Sequence, residues 1–468
     1  MSVANQLKPF LEPESVAIIG AHPSSGEWSF NIAENLAHYG YRGRVYPVNS
    51  NCTEILGRKC YSTIAEVPTP VDLAIIVVSR TKVPEIIKQC AAKGIRAAIV
   101  VSQGFADAGD EEGKNLQQQL TEVARQGGVR VLGPNSLGTA NAFIDFGTSF
   151  GRHLSLRKLP VALISQTGFL FSTFGRFSLV GKAIDLGNAC DVGFEEALEY
   201  FEQDPETKVI VLHIEGIRNG RRFIEAVSRV AKRKRVLAFK TARSQAGAEA
   251  AQSHTGSLVG RDEVWNAVFK QFGITRVNDM EELEDVVRAF CYLPTMGGRR
   301  IAVVTNSGGA GIVSADACAR YNMEMSKLSP ATMRKLKDMS PSWFRVGNPV
   351  DFWPIFMATG GTIVGTLRTV LSEVLNDHQV DALVLFAGAF FDLASPSMTE
   401  VIIDMVDAFP NKPIIWCPYE GWQYEVSAAE VAEKLEAVGK AAVFNGTERA
   451  VRALSKLADY SEYLRVTK

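Results

Sequence analysis

His254 sits in a stretch that carries almost no anchoring side chains. Residues 241–257 read T-A-R-S-Q-A-G-A-E-A-A-Q-S-H-T-G-S, and twelve of these seventeen are Ala, Gly, Ser or Thr. Such a segment, lacking a large apolar side chain, is held only by specific contacts. An imidazole on a mobile tip can act as a nucleophile or group carrier if a partner fixes its other ring nitrogen. Glu215 ends the apolar run V-I-V-L-H-I-E-G and is the candidate partner, because an acid at the end of a buried strand points at the loops. The competing reading is a surface histidine without a task, one of six in the chain. Two strand-to-helix junctions complete this group. One is Ser165, Gln166, Thr167 and Gly168; the other is Asn306 followed by Ser307, Gly308, Gly309, Ala310 and Gly311. Each offers free backbone N–H groups and a positive dipole end to an anion. Each also reads as an ordinary helix cap. Two of them around one histidine would make a site for a phosphoryl group.

A second group of loops suits a nucleotide. The turn from Gly20 through Ser24 to Gly26 follows a strand over 16–19 and precedes a helix near 30–38. That places it at the carboxyl edge of a sheet, where nucleotides bind in open α/β folds. It is not G-x-G-x-x-G. The second strand ends in Val48 and Asn49 rather than in the acid that holds an NAD ribose, so NAD is disfavoured and coenzyme A stays open. Val78 with Ser79, Ser102 through Gly104 and Phe105, and Gly133 through Asn135 and Ser136 supply three more polar turns on the same edge. Gly104 and Gly133 allow close backbone approach. Asn135 can donate and accept.

The elements that must position these residues are short apolar strands alternating with longer helical stretches, the pattern of parallel sheets covered by helices. Strands are expected at 15–19, 44–48, 73–78, 97–101 and 130–132, then at 161–164, 184–186, 209–214, 236–240 and 274–277. A third set falls at 301–305, 382–386, 413–417 and 442–444. The fold class is α/β: a Rossmann-like domain over 1–148 and two flavodoxin-like parallel-sheet domains over 149–296 and 297–468. The later two read as diverged copies. V-A-L-I-S-Q-T-G parallels I-A-V-V-T-N-S-G, and Asn188-x-x-Asp191 parallels Asn348-x-x-Asp351. The segment around His254 has no counterpart.

Composition narrows the classes. Apolar residues make up 46% and charged residues 22%, and 50 basic residues against 51 acidic ones leave a net charge of −1. No basic excess points to nucleic acid. Seven cysteines without a C-x-x-C pair argue against a disulfide framework or a structural metal site. No stretch approaches the ~20 apolar residues of a membrane helix, and residues 1–10 lack a signal-peptide pattern, so a cytoplasmic protein is expected.

Six ordered motifs resemble one family. They are S-V-A-I-I-G-A from residue 15, G-R-V-Y-P-V-N from 43, G-P-N-S-L-G from 133, V-A-L-I-S-Q-T-G from 161, A-A-Q-S-H-T-G-S-L from 250 and V-V-T-N-S-G-G-A-G from 303. Over nearly its whole length the chain resembles the α subunit of the NDP-forming acyl-CoA synthetases, the superfamily of succinyl-CoA synthetase and ADP-forming acetyl-CoA synthetase. The resemblance implies CoA held by Gly20, Ser24, Gly26, Val48, Asn49, Ser102 and Asn135. It also implies phosphorylation of His254 steadied by Glu215, and two helix ends that receive the phosphohistidine. The reaction implied is carboxylate + CoA + ATP giving acyl-CoA + ADP + phosphate through an acyl phosphate. Two departures stand out. Glu27, Trp28 and Ser29 replace the family's usual Lys and Gly, and Phe169, Phe171, Phe174 and Phe177 crowd the segment after S-Q-T-G. Those rings either pack in the core, the reading preferred here, or shape a pocket for a bulky or aromatic acyl group. No G-x-x-x-x-G-K-[ST] segment occurs, and with all three domains assigned, an ATP-grasp β subunit carrying ATP/ADP and Mg²⁺ is expected in a hetero-oligomer. A non-catalytic CoA sensor or acyltransferase subunit on the same fold is the alternative.

Overall fold

Each third of the chain builds one parallel sheet around the same strand order. The computed structural model describes residues 3–23, 31–148, 157–172, 179–247, 249, 260–420, 427–439 and 441–467. The first sheet holds β1 (Ser15–Ile19), β2 (Arg44–Val48), β3 (Leu73–Ile76), β4 (Ala97–Val100) and β5 (Arg130–Leu132), in the order β2-β1-β3-β4-β5. The second holds β6 (Thr139–Asn141), β7 (Phe146–Gly147), β8 (Val161–Ser165), β9 (Lys182–Asp185), β10 (Val209–Ile214), β11 (Arg235–Lys240) and β12 (Thr275–Val277), in the order β12-β11-β10-β8-β9-β6-β7. The third holds β13 (Arg300–Thr305), β14 (Glu324–Met325), β15 (Val350–Asp351), β16 (Ala382–Gly388), β17 (Ile414–Tyr419) and β18 (Ala442–Val443). Its order is β14-β13-β16-β17-β18, with β15 also on β13. In the first two sheets the first parallel strand lies between the second and the third, the flavodoxin-like winding, and in the third sheet β13 lies between β14 and β16. Every residue of Ser15–Ile19, Val161–Ser165 and Val209–Ile214 is buried. Strands covered on both faces need continuous apolar runs, so these runs were readable without alternation.

The chain divides into two compact units, Met1–Val277 and Asn278–Lys468. The first two sheets share one hydrophobic core, in which Leu7, Phe10, Ile18 and Leu132 cluster with Ile164 and Leu212. Two details differ from the expected divisions at 148 and 296. Residues 139–147 form strands of the second sheet, where β6 runs antiparallel to β9 and pairs Ala140 with Ala183. The helix Met280–Tyr292 belongs to the second unit. Its Asp285, fully buried, accepts from Arg449 Nη2 at 2.7 Å and Arg452 Nη2 at 3.0 Å, both on the helix Thr447–Thr467.

The strand order is common to all three sheets and does not by itself mark the two later thirds as copies. The shared N-x-x-D letters do different work. Asn188 donates to Asp107 Oδ1 at 2.7 Å and so reaches back to the first sheet's loops. Asn348 accepts from Val303 N and donates to Ile301 O within its own sheet.

Candidate functional site

Parallel strands bring all their carboxyl-end loops to one edge, and in the first sheet those loops are tied to one another in strand order. Asn49 Nδ2 donates to Ala21 O at 2.8 Å, joining the turns after β2 and β1. Gly20 has φ +89°, and a Cβ there would lie 2.2 Å from Val77 O, so only glycine lets the turns after β1 and β3 meet. Ser102 Oγ donates to Val78 O, and Asn135 N donates to Ser102 O at 2.9 Å, joining the turns after β3, β4 and β5. Ser79 is exposed, and Gly104 lies half-buried beside it on the same edge. Val48 and Phe105 differ from these: their side chains are buried in the core, leaving only their backbones to the edge. Ser24 and Gly26 lie outside the described residues.

The edge continues into a cavity of about 950 Å³ in the first unit. Asn135 and Leu137 line it from the first sheet, and Gln166, Thr167, Gly168 and Glu215 from the second. Gln166 is the key to this geometry. Its Oε1 accepts from Glu215 N and from Gly216 N, each at 2.9 Å, and so staples the turn after β8 to the turn after β10. Because β8 and β10 are adjacent and in register, with Ser165 opposite His213, these turns meet at the point where the winding reverses.

Ser165 is fully buried and turns inward. Its hydroxyl donates to Thr167 O, so it accepts from His213 Nδ1 at 3.1 Å. That fixes His213 as the neutral Nδ1–H tautomer. Burial, reinforced by the Lys240 charge, pushes the His213 pKa down to about 4. The chain of contacts from His213 through Ser165 to the Thr167 carbonyl holds the backbone of the S-Q-T-G turn. The described helix that follows is Gly168–Ser172.

Two further buried ionisable groups back the cavity, and neither stood out in the sequence. Asp185 is fully buried at the end of β9, accepting from Leu137 N at 2.7 Å and Gly187 N at 3.3 Å. Burial, with the Glu215 charge adding to it, raises its pKa to about 7. Lys240 ends β11, where the 241–257 segment begins. Its ammonium donates to Glu215 O at 2.8 Å and to Thr241 O. Burial lowers its pKa to about 8, against the pull of Asp262. The only outward sign of either was a charged residue closing an apolar strand. His254 itself lies outside the described residues, and Glu215 is half-buried at the cavity wall.

Three family models cover this chain in order: a CoA binding domain over residues 14–142, a succinyl-CoA ligase like flavodoxin domain over 158–290, and a ligase-CoA domain over 301–460. The α subunit of ADP-forming acetate–CoA ligase I from Pyrococcus furiosus is 34% identical, with 98% of both chains covered. The chain belongs to the ADP-forming acyl-CoA synthetases. It is also 33% identical to ADP-forming acetate–CoA ligase II from Archaeoglobus fulgidus, matching 97% of this chain but only 67% of that longer one. Among solved structures it resembles acetyl-coenzyme A synthetase 1 of Candidatus Korarchaeum cryptofilum, described as dinucleotide forming and in complex with phosphate and ADP. The TM-score is 0.84, the identity 31%, and 98% of each chain is covered.

The third sheet of this acyl-CoA synthetase carries the second strand-to-helix turn singled out in the sequence. The 13-residue helix Gly308–Arg320 starts at Ser307, whose Oγ accepts from Ala310 N at 3.5 Å. Asn306 is anchored through Nδ2 to Tyr419 Oη at 2.7 Å. Gly308 and Gly309 are exposed, and a Cβ at Gly308 would meet nothing within 4 Å, so their amides stand open. Gly311 is buried against Pro349. Of the five residues 307–311, the first four face outward in whole or part and Gly311 serves packing.

Proposed function

We propose that this chain works as the α subunit of an ADP-forming acyl-CoA synthetase, with His254 as the phosphoryl carrier and an ATP-grasp β subunit as its partner. The observation that carries the reading is the Gln166 staple, which holds Glu215 against the S-Q-T-G turn in a cavity that also opens to Asn135 of the first sheet. One chamber therefore joins a carboxylate suited to orient an imidazole, backbone amides suited to a phosphoryl group, and the edge suited to CoA. The Pyrococcus relative, named as subunit alpha and matched over 98% of its length, supports a partner subunit. ATP/ADP and Mg²⁺ belong on that partner.

A free carboxylate is a poor acyl donor because oxide would have to leave. In the proposed route a carboxylate oxygen attacks the phosphorus of phosphohistidine 254. The O–P bond forms, the N–P bond breaks, and an acyl phosphate results. The CoA thiol loses its proton and attacks the carbonyl, so that the C–S bond forms and phosphate leaves. Glu215 accepts from the ring nitrogen not bonded to phosphorus and keeps it protonated, so that the phosphorylated ring is an imidazolium and departs as neutral imidazole. The amides of Thr167 and Gly168 stabilise the transferring group's negative charge. Ser307, Gly308, Gly309 and Ala310 offer a like set in the second unit. CoA would lie along Gly20, Asn49, Ser79, Ser102, Gly104 and Asn135. The hydrogen bonds between those turns hold their backbones in one continuous rim, which fits an extended ligand.

The chain, with whatever complex it brings on purification, is incubated with acyl-CoA and labelled phosphate. Label should appear on His254 and vanish in His254→Ala, while CoA binding by calorimetry persists. Label on another residue defeats the assignment.

A further inference from the structure

Lys240 is a buried charge that the route above leaves without a task. It ends β11 with only 2% of its surface exposed. Asp262, the acid that pulls most on its charge, is taken up by Arg276 at 2.5 Å and Arg243 at 3.8 Å. The Lys240 ammonium donates instead to two main-chain carbonyls, Glu215 O at 2.8 Å and Thr241 O. It also lies 5.6 Å from the centroid of the Trp265 ring. A buried charge costs stability that an apolar side chain of the same length would not, so this one needs a reason beyond packing. The two carbonyls supply it. The N–H of Glu215 is already held by Gln166 Oε1 at 2.9 Å. Lys240 holds the other side of the same residue, so side chains from the turn after β8 and from β11 fix the peptide groups on both sides of Glu215. Thr241 opens the segment that carries His254.

We propose that Lys240 is a positioning residue for phosphoryl transfer: its ammonium fixes Glu215 and supplies the positive charge that offsets the phosphoryl group beside that carboxylate. The inference rests on the reading above and deepens it. A phosphoryl group brings about two negative charges. It meets Glu215 in a chamber already backed by Asp185. A fixed charge behind the strand end lowers that repulsion without reorganising when the group arrives. The charged and titratable groups facing Lys240 are His213 and Glu215 from β10 and its turn, Asp262 from the helix Asp262–Gln271, and Arg276 from β12. Burial lowers the Lys240 pKa to about 8. The neutral amine still has two N–H groups for its two carbonyls. Raising the pH therefore removes the charge and spares the hold, which a merely structural lysine would not register.

The rate of His254 labelling from acetyl-CoA and labelled phosphate is followed from pH ~7 to pH ~9.5 in wild type, Lys240→Met and Lys240→Arg. Taking the ratio of wild type to variant at each pH cancels the titration of phosphate and of the CoA thiol. Wild type should exceed Lys240→Met by about tenfold or more at pH ~7, and that ratio should shrink by about fivefold or more at pH ~9.5. Lys240→Arg stays charged throughout, so wild type should fall relative to it over the same range. A ratio to Lys240→Met that is flat with pH, or equal to one at pH ~7, overturns the proposal and leaves the function standing. Should Lys240→Met fail to fold, a flat ratio to Lys240→Arg overturns it in the same way. Failure of wild type to label His254 overturns both.

Discussion

Replacing Gln166 in two ways separates holding the site together from doing its electrostatic work. In Gln166→Ala the N–H groups of Glu215 and Gly216 lose their acceptor, now 2.9 Å away in each case. A buried donor left unsatisfied costs ~1–3 kcal/mol. Both sites are only partly buried, so the pair should cost about 2–4 kcal/mol in urea unfolding of the first unit. Gln166→Glu has the same shape and a carboxylate oxygen to accept the same N–H groups, so these charge-assisted bonds offset its repulsion from Glu215 and it should unfold closer to wild type than Gln166→Ala. It places a full negative charge beside Glu215 and the phosphoryl group. At an effective dielectric of ~20 and a separation of roughly 5 Å, the repulsion is about 3 kcal/mol. That corresponds to a rate loss of about a hundredfold. The assay is labelling of His254 from acyl-CoA and labelled phosphate, run beside the unfolding curves. If Gln166→Glu is labelled as fast as wild type, or Gln166→Ala unfolds at the wild-type midpoint, the staple is not what organises the site.

Three further outcomes follow from buried charges. Asp185 has its pKa raised to about 7, above the unfolded value of ~3.9, so the fold favours its protonated form. Its stabilisation is present below pH ~4 and lost as pH rises to ~7, amounting to about 4 kcal/mol. Wild type should therefore lose that much relative to Asp185→Asn between pH 4 and pH 8, and parallel stability curves refute it. Lys240 is the opposite case: its pKa is lowered to about 8, so the unfolded chain binds the extra proton above that pH. Wild type should gain about 3 kcal/mol over Lys240→Met between pH 8 and pH 10.5 in the same measurement. Asp285→Asn takes away the buried countercharge of Arg449 and Arg452 and leaves them only the exposed Glu281 carboxylate. Unfolding of the second unit should lose about 3–5 kcal/mol, while CoA affinity, read in the first unit, stays at wild type.

The sequence by itself determined the sheets and the family. Strands buried on both faces show as apolar runs, so β1 and β10 could be placed to the residue. The polar turns behind them had to share one edge because parallel strands leave no other arrangement. The short antiparallel strands β6 and β7 escaped, since two or three residues of mixed character carry no periodic signal. The placements of residues 139–147 and of the helix Met280–Tyr292 escaped for a related reason. They depend on which sheet a strand joins and on an ion pair between residues 164 apart in sequence, Asp285 and Arg449.

Only the tertiary structure decided how the cavity is organised. In the sequence, Ser165, Gln166, Thr167 and Gly168 are four interchangeable parts of an anion-binding turn. Folding gives Ser165 to His213, Gln166 to Glu215 and Gly216, and leaves Thr167, Gly168 and Phe169 to the cavity. Asp185 and Lys240 read as strand ends until burial moves their pKa values toward neutrality. Hydrogen bonds and desolvation depend on which strands become neighbours, and β8 and β10 meet across 43 intervening residues only once the sheet has wound.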